Sequence, residues 1–431
     1  MSINLGLSRV LKLLEHIGNP QRNFKVIHVA GTNGKGSVCS YLTSVLQQRH
    51  QVGKFTTPHL IHITDSITVN STPIPVKSYD ELRNSLESLN KTYDLECTEF
   101  ELLTCTALKY FNNVQCDMCV IEVGLGGRLD ATNAISGHDK LACAITKIAL
   151  DHESILGNTL TEIAAEKAGI ITEGTELVIV DNSNDKSVLD VIKQRCKKIG
   201  SSLVITRCNE HDNVLHTESW GPLKFDKIPL NGGYQIFNLD LAISILDSLQ
   251  RLQKVNITNS ELKEGLCQVS WPGRLQNLYL CASPYSKDTL PILLDGAHNG
   301  NAANELAKYL RKQYGDQPLT FVIAVTQGKN IASLLSPIIR PYDNVIITEF
   351  GGVKGMPWIT AMDSTELSDI VKKEYTKNVE INSDLDAVIK ELPNKYLKSN
   401  RPIVACGSLY LCGQLLNIHF RNIGSERTAQ S

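Results

Sequence analysis

The sequence has no uninterrupted apolar run of about 18 residues, the length that a transmembrane helix needs, so no membrane span is predicted. Charge of one sign is not in excess either: 43 Lys and Arg residues stand against 45 Asp and Glu residues. This balance disfavours a protein that coats nucleic acid, which needs a dense cationic face. Met1–Leu5 shows no basic segment leading into an apolar one, so we predict no secretory signal and a cytoplasmic location.

The sequence also lacks the two close cysteine pairs that are typical of a zinc site. The 12 cysteines are scattered, many of them inside apolar runs, where a free thiol behaves as a small buried hydrophobe. Cys116-Asp-Met-Cys119 is one CxxC motif with no second pair nearby, whereas zinc sites usually have four ligands in two close pairs. We therefore expect reduced thiols and no zinc or redox centre.

The chain is long enough for two domains at 431 residues, and its 42% hydrophobic content excludes global disorder. Short apolar runs alternate with amphipathic helical segments, which is typical of an α/β fold with a mostly parallel sheet. A second series of this kind begins after Pro272. We predict domains at 1–275 and 285–431, with a linker at about 272–290.

The predicted strands are apolar segments closed by polar or glycine residues. They are Val26–Ala30, Met118–Val123, Ala142–Leu150, Leu177–Val180, Leu203–Thr206, Ile292–Leu294, Phe321–Val325, Val345–Thr348 and Ile403–Cys406. The helical pattern predicts helices at Tyr234–Leu252 and Asn299–Tyr314, and one that begins near Ser37.

A glycine-rich segment, Gly31-Thr-Asn-Gly-Lys-Gly-Ser37, separates the first predicted strand from this helix. Glycines let backbone N–H groups turn toward phosphate oxygens, and the helix N-terminus, the Lys35 charge and the Ser37 hydroxyl favour a phosphate–Mg²⁺ complex. The strict GxxxxGK[ST] motif is not met, because Gly36 separates Lys35 from Ser37. The loop predicts a nucleoside triphosphate site and leaves GTPase, kinase and ligase open; the alternative is a plain strand–helix turn.

Two side chains are predicted at the same sheet edge as this loop. Glu122 lies in an apolar strand, where a carboxylate must be paired with an arginine or bind a cation. His152 follows another strand, and ligands of doubly wound sheets bind outside the carboxyl ends of the strands. His152 is therefore either a metal ligand or a structural hydrogen-bonding residue.

Lys167 falls on the apolar stripe of a predicted helix, seven residues after Leu160 and four after Ile163. Burial penalises the ammonium and makes the neutral amine accessible. A neutral amine can add CO₂ and become a carbamate, which is an anionic metal ligand. The alternative is a lysine whose stem covers apolar surface while its amine reaches water.

Taken together, these segments resemble the folylpolyglutamate synthase/dihydrofolate synthase family of the Mur ligase superfamily, and most of all its fungal dihydrofolate synthase type. The motifs follow one another over nearly the whole chain. They are Gly31–Ser37, Glu122–Asn133, Leu150–His152, Glu166–Ile170, Gln235–Asn238, Trp271–Arg274, Asp295–Asn299 and Cys406–Ser408.

The resemblance implies an N-terminal P-loop ATPase domain and a Rossmann-like C-terminal domain, with the active site in the cleft. It also implies an ATP-dependent ligase that joins dihydropteroate to L-glutamate through an acyl phosphate. ATP is then a co-substrate, two Mg²⁺ ions are cofactors, and a monomer is expected. Closure over the reaction would protect the acyl phosphate from water.

The resemblance also implies a role for individual residues. The catalytic group comprises Lys35, Lys167, His152 and His298. ATP would contact Thr32, Asn33, Gly34, Lys35, Gly36, Ser37, Asn238, Arg274 and Asp295. Metal would bind Ser37, Thr57, Glu122, His152 and carbamylated Lys167. The pterin end of the substrate would contact Asn4, Leu5, Gly6, Leu7, Thr98, Glu99, Phe100, Glu101, Leu129, Asp130 and Ala131.

Three other functions stay open at this point. Polyglutamate extension of reduced folates uses the same chemistry, alone or as a second activity. A cell-wall Mur ligase is disfavoured, because no extra N-terminal domain for a UDP-linked substrate is visible. A nucleotide-regulated binding module would use the phosphate loop, but it has no need for Lys167 on an apolar stripe.

Overall fold

The computed structural model describes residues 5–209, 211, 213–285, 289–356, 358–396 and 401–424. The chain divides into two units. The first contains Met1–His59, Thr64–Leu230 and Tyr234–Ser270, and the second contains Leu60–Ile63, Asn231–Gly233 and Trp271–Ser431. Within the predicted linker at 272–290, residues 276–281 form a strand of the second sheet. Residues 286–288 lie outside the described residues.

The first unit is built on a mostly parallel sheet. Its strands are β1 (Lys25–Ala30), β2 (Val52–Phe55), β3 (Ile67–Val69), β4 (Thr72–Pro73), β5 (Met118–Glu122), β6 (Lys140–Ile145), β7 (Leu177–Val180) and β8 (Ser202–Ile205). Among the described residues they run in the order β4-β3-β2-β5-β1-β6-β7-β8, and β3 and β4 are antiparallel at one edge. The strands β9 (Val214–Thr217) and β10 (Gly221–Lys224) form a separate hairpin.

Helices cover this sheet. They are α1 (Ser8–His16), α2 (Lys35–Leu46), α3 (Val76–Thr92), α4 (Glu99–Asn113), α5 (Glu153–Leu156), α6 (Leu160–Ala168), α7 (Lys186–Ile199), α8 (Gln235–Arg251) and α9 (Asn259–Gln268). The central strands are apolar and buried on both faces, as expected for parallel strands between helix layers. The connection that follows β1 leads to β2 on one side of it, whereas the connection that follows its neighbour β6 leads to β7 on the other side. The strand order therefore reverses beside β1, the usual place for a ligand.

The second unit has its own, mostly parallel sheet. Its strands are β11 (Gln276–Cys281), β12 (Thr289–Leu294), β13 (Thr320–Ile323), β14 (Asn344–Ile347), β15 (Val379–Ile381) and β16 (Ile403–Cys406). In the described residues the order is β11-β12-β16-β13-β14-β15, with β11 antiparallel at the edge. Its helices are α10 (Gly300–Tyr314), α11 (Ile331–Leu335), α12 (Ser364–Glu374), α13 (Leu385–Tyr396) and α14 (Leu409–Asn422).

The predicted α/β fold class is confirmed, with differences at particular elements. The strand predicted at Ala142–Leu150 ends at Ile145, because the chain leaves the sheet after Thr146 and Leu150 is exposed. The strand β2 was not predicted, since Gly53 and Lys54 interrupt its apolar pattern. None of the helices in the described ranges is long and apolar enough to cross a membrane.

Candidate active site

The phosphate loop connects β1 to α2 at the reversal point of the first sheet. Gly34 has a φ of 91°, in the left-handed region, and a Cβ there would overlap Oδ1 of Asn238. Gly31 has a φ of 150°, and a Cβ there would overlap the Thr146 side chain. Neither position accepts a side chain, so both glycines are required by the close approach of neighbouring segments.

The two halves of the loop use their backbone amides differently. The N–H groups of Thr32 and Asn33 donate to the carbonyl of Lys147, at 2.9 and 3.1 Å. These two amides are therefore not turned toward a phosphate, in contrast to the expectation for the loop as a whole. The first residue of α2 is Lys35, and the helix has no side-chain cap. Its first N–H groups are the ones left for an anion, as at other phosphate-binding helix termini.

Lys35 and Glu122 face each other beside the loop. The Lys35 Nζ is 3.7 Å from the Glu122 carboxylate and also donates to the Thr32 carbonyl at 3.1 Å. Glu122 is buried at the end of β5, and its other oxygen accepts the Thr57 N–H at 3.3 Å. The strand β2 adds a buried lysine, Lys54. Burial lowers the pKa of Lys54, and interaction with the charges of Cys39 and Glu122 opposes that shift. Lys35 and Lys54 are thus two cations that act on Glu122.

Ser37 connects the loop to α8. Its hydroxyl accepts a hydrogen bond from the Gln235 side-chain amide at 3.2 Å, and the Gln235 carbonyl oxygen accepts from Asn238 Nδ2 at 3.0 Å. All three side chains are buried. Asn238, predicted at the nucleotide, is therefore joined to Ser37, predicted at the metal, through Gln235, which begins the Gln235–Asn238 motif but was given no role.

Lys167 lies in the last turn of α6 and is 5% exposed. Its Nζ donates to the carbonyl of Gly31 at 2.8 Å, which places the amine at the phosphate loop. Burial, together with repulsion from Lys35, lowers the pKa of Lys167 to about 7. The amine does not reach solvent along the surface, so the snorkelling alternative does not describe this residue.

His152 is placed less favourably for binding a metal than predicted. It has a φ of 52° in the turn before α5, and its side chain is 48% exposed. Its ring Nε2 is 4.0 Å from the carboxylate of Asp151, which also accepts the His152 N–H at 2.9 Å. No cluster of three His, Cys, Asp or Glu side chains suited to a metal ion occurs in the described part of the chain.

A magnesium ion would therefore depend on hydroxyl and carboxylate oxygens. Ser37 and Glu122 are buried next to the start of α2, and Thr57 lies beside Glu122 through its backbone N–H. Oxygen donors of these types are the ligands that Mg²⁺ prefers. The residues present at the loop thus fit one magnesium ion, while the second would need the modified Lys167.

The loop after β5 is fastened to the end of α6. Asn133 Nδ2 donates to the carbonyls of Arg128 and Gly169, both at 3.1 Å, and the Arg128 N–H donates to Glu166 O at 2.8 Å. The buried ammonium of Lys140 donates to Asn133 Oδ1 at 2.9 Å and to Ile170 O at 2.7 Å. These bonds hold the loop next to the turn that carries Lys167.

Asp130 organises this loop from inside. Its carboxylate accepts the N–H groups of Leu125 at 2.8 Å and Thr132 at 3.0 Å, and burial raises its pKa. The predicted pairing of this carboxylate with two N–H groups of a pterin stays a prediction, because in this structure its oxygens serve the loop backbone. Leu129 and Ala131 flank it, and Ala131 begins a short 3₁₀ turn.

The other predicted substrate residues lie around the same loop. The Phe100 ring packs against Gly124, where a Cβ would overlap it. Glu101 is buried, pairs with Arg9 at 3.1 Å and completes the capping box of Thr98, so its charge is already neutralised. Glu99 pairs with Arg83. Leu5, Gly6 and Leu7 precede α1, and Asn4 lies outside the described residues.

The second unit gathers its predicted residues around Gly296. Arg274 Nη1 donates to the Gly296 carbonyl at 2.9 Å, and His298 Nδ1 lies 2.9 Å from the same oxygen. Asp295 is buried and accepts the N–H groups of Leu275 and Ala297, both at 2.9 Å. Burial raises the pKa of Asp295, and the nearby Arg274 charge opposes that shift.

Sequence reasoning assigned no role to three buried polar residues: Gln235, Lys54 and Lys140. Gln235 had a visible signal, because it stands three residues before Asn238 and so shares its helix face. Lys54 interrupts an apolar strand, which is the same signal that drew attention to Glu122, whereas Lys140 is the first residue of β6. Their partners come from other elements and could not be read from the strands themselves.

Comparison with known proteins agrees with this geometry. The Mur ligase middle domain family matches residues 29–246, and the dihydrofolate synthetase C-terminal domain family matches residues 276–418. A dihydrofolate synthetase of Saccharomyces cerevisiae is 58% identical over 97% of this chain and 99% of its own length.

Solved structures agree as well. Mycobacterium tuberculosis folylpolyglutamate synthase, complexed with ADP and AMPPCP, has a TM-score of 0.81 and 26% identity over 98% of this chain and 96% of its own. Escherichia coli FolC in complex with DHPP and ADP has a TM-score of 0.78 and 25% identity over 97% and 94% of the two chains. The predicted resemblance is confirmed, and the chain belongs to the folylpolyglutamate synthase/dihydrofolate synthase family of ATP-dependent Mur-type ligases.

Proposed function

We propose that this chain forms 7,8-dihydrofolate from 7,8-dihydropteroate and L-glutamate, with conversion of ATP to ADP and phosphate. The observation that carries the proposal is the Lys167 amine, which is buried 2.8 Å from the Gly31 carbonyl of the phosphate loop. A nucleotide switch needs the loop but not a buried amine beside it. The S. cerevisiae relative, named a dihydrofolate synthetase, supports the choice of substrate.

The chemistry explains why a phosphate loop is needed. Joining a carboxylate to an amine in water is uphill, so the dihydropteroate carboxylate first attacks the γ-phosphate of ATP and releases ADP. The resulting acyl phosphate carries a good leaving group, and the glutamate amine displaces it as phosphate. The free amides at the start of α2 and the Lys35 ammonium stabilise the charge that is transferred.

Magnesium has a place in this proposal through Ser37, Thr57 and Glu122, whose oxygens would hold one ion at the loop. The ion, when bound, neutralises charge on the phosphates. The lowered pKa of Lys167, about 7, leaves a neutral amine available near physiological pH. Addition of CO₂ would convert that amine to a carbamate, and with His152 it would hold the second ion.

The remaining predicted residues take part in the same proposal. The proposal assigns contacts with ATP to Asn238, Arg274 and Asp295, and the orientation of phosphate to His298. The pterin end of the acid rests on the loop that follows β5 and on the start of α4. Phe100 offers a partly exposed ring there for stacking.

A comparison of two substrates tests the proposal. Purified protein is given ATP, Mg²⁺ and L-glutamate with either dihydropteroate or tetrahydrofolate, and ADP release and the glutamylated product are measured. We expect turnover with dihydropteroate. Turnover with tetrahydrofolate alone would replace the proposal with polyglutamate extension, the activity in the name of the M. tuberculosis neighbour. Turnover with both acids would identify a bifunctional enzyme.

A further inference from the structure

Three buried side chains connect two helices at the phosphate loop. Gln235, fully buried in the first turn of α8, donates from Nε2 to the Ser37 hydroxyl on α2 at 3.2 Å. Asn238, one turn later, donates from Nδ2 to Gln235 Oε1 at 3.0 Å. Within the described part of the chain, these are the hydrogen bonds that the Gln235 side chain makes.

The Ser37 hydroxyl makes a different bond from three other hydroxyl groups on the helices of this unit. Thr104, Thr106 and Ser248 each donate to the carbonyl four residues earlier, at 2.8, 2.8 and 2.7 Å. Such a bond is one common arrangement for a hydroxyl inside a helix. Ser37 instead accepts a bond from Gln235, which is its hydrogen-bond partner among the described residues.

The direction of these bonds matters for a cation. Because Asn238 donates to the Gln235 oxygen, the Gln235 nitrogen must face Ser37. A serine oxygen has two lone pairs and one hydrogen. The amide occupies one lone pair, so the second lone pair is left for a ligand and the hydroxyl hydrogen must point elsewhere.

We infer that Gln235 is a positioning residue that aims the Ser37 oxygen at the cation of the nucleotide complex. This inference rests on the proposed function, because it assumes that Ser37 binds the magnesium of a nucleotide. In this inference, the hydrogen bonds of Gln235 connect Asn238, which is proposed to contact the nucleotide, with Ser37, which is proposed to bind the metal. Loss of a residue that orients a metal ligand typically weakens metal affinity by about 10- to 100-fold.

Calorimetric titration of ADP at a series of Mg²⁺ concentrations, and in EDTA, tests this link without relying on turnover. For Gln235→Met we expect the Mg²⁺ concentration that gives half of the gain in ADP affinity to rise by about tenfold or more. Affinity for ADP in EDTA should stay within about twofold. The matched control is Gln21→Met, which removes another buried glutamine amide, one that bonds to Asn19.

A double-mutant cycle separates positioning from packing. On a Ser37→Ala background, Gln235→Met should cause no further change in the Mg²⁺ requirement, because its target oxygen is gone. An unchanged Mg²⁺ requirement in Gln235→Met would overturn the inference. An equal loss of ADP affinity with and without Mg²⁺ would also overturn it, since that is the result of a packing defect.

Two further arms keep the result interpretable. Should Gln235→Met not fold, Gln235→Asn keeps the amide but shortens its reach, and the same shift in Mg²⁺ requirement is expected. If the unmodified protein turns over dihydropteroate and the variants have the same Mg²⁺ requirement for ADP binding as the unmodified protein, the inference fails and the proposed function stands. If the unmodified protein binds no ADP with Mg²⁺ present, both fail.

Discussion

Each unit of this protein contains a strand, a polar turn and a helix, and the two turns treat their helix N-termini differently. In the second unit, Asn299 caps α10 by accepting the Ala302 N–H at 2.9 Å. In the turn before this helix, the Asp295 carboxylate accepts the Ala297 N–H. In the first unit, α2 follows Gly34 and has no side-chain cap. The turn before α10 thus provides hydrogen-bond acceptors for backbone N–H groups of its own segment, whereas the turn before α2 leaves the first N–H groups of its helix for a ligand.

The comparison shows how the same supersecondary unit serves stability in one place and chemistry in another. A side-chain cap contributes about 1 kcal/mol to a helix, and α2 does without it. The α2 end also has two lysines near it, one of them buried with a lowered pKa. Functional sites commonly give up stability in this way. Four experiments test the contrast between the N-termini of α2 and α10.

The largest effect is expected from Lys167→Ala. Turnover should fall by orders of magnitude, because the amine at the phosphate loop is lost, while ADP affinity changes little. Steady-state rates and calorimetry measure the two quantities. Lys193→Ala, at an exposed lysine of α7, is the control. Unchanged turnover in Lys167→Ala would remove this residue from the mechanism.

Paired glycine substitutions compare the two helix starts directly. Gly34→Ala forces a side chain into the left-handed region and into Asn238, so ADP affinity should fall about tenfold or more. The matching substitution is Gly300→Ala, at the first residue of α10. The atom nearest to the new Cβ would be 3.2 Å away, and the φ of Gly300 is not in the left-handed region. Its ADP affinity should stay close to that of the parent protein. Equal losses in both would contradict a special role for the α2 start.

Lys167→Met should stabilise the protein although it abolishes turnover. The folded chain releases the Lys167 proton near pH 7 and the unfolded chain near 10.5, so the amine destabilises the fold most at pH 7 and below. The gain in melting temperature, about 2 °C or more, should therefore shrink as pH rises from 7 to 10.5. Thermal unfolding in CO₂-depleted buffer measures it. A gain that grows with pH would contradict the assigned direction.

The smallest effect is expected at the capped helix. Asn299→Ala removes the side-chain acceptor of α10 and should cost about 1 kcal/mol of unfolding free energy. Asn304→Ala, at an exposed position of the same helix, should cost less than about 0.5 kcal/mol. Denaturant titration compares the two variants. Equal costs would mean that the Asn299 cap contributes nothing particular.

Local patterns predicted much of the fold. The strands Leu177–Val180 and Ile403–Cys406 were placed at their observed bounds, and α8 and α10 within one residue at each end. Continuous apolar runs and helical periodicity are properties of neighbouring residues, so they survive in the sequence. Short or partly exposed strands such as β9 and β15 were missed, because they carry no such run.

The candidate site was predictable only in part. Lys167 was found because a lysine on an apolar stripe is an anomaly within its own helix. Two features were not predicted. The Thr32 and Asn33 N–H groups donate to the Lys147 carbonyl, and the Asp130 carboxylate accepts backbone N–H groups of its own loop. The Lys147 bonds depend on which loop lies next to which, and that is set by the order of strands in the sheet. The Asp130 bonds depend on how its own loop folds.

The sequence by itself determined the apolar strands, the glycine loop and the place of Lys167 on the apolar stripe of α6. Tertiary structure alone decided the partners: Lys167 bonds to Gly31, 136 residues earlier, and Gln235 to Ser37, 198 residues earlier. The reason is physical. Periodicity reports which face of an element is buried, whereas a hydrogen bond between distant segments exists only after the sheet has brought their ends together.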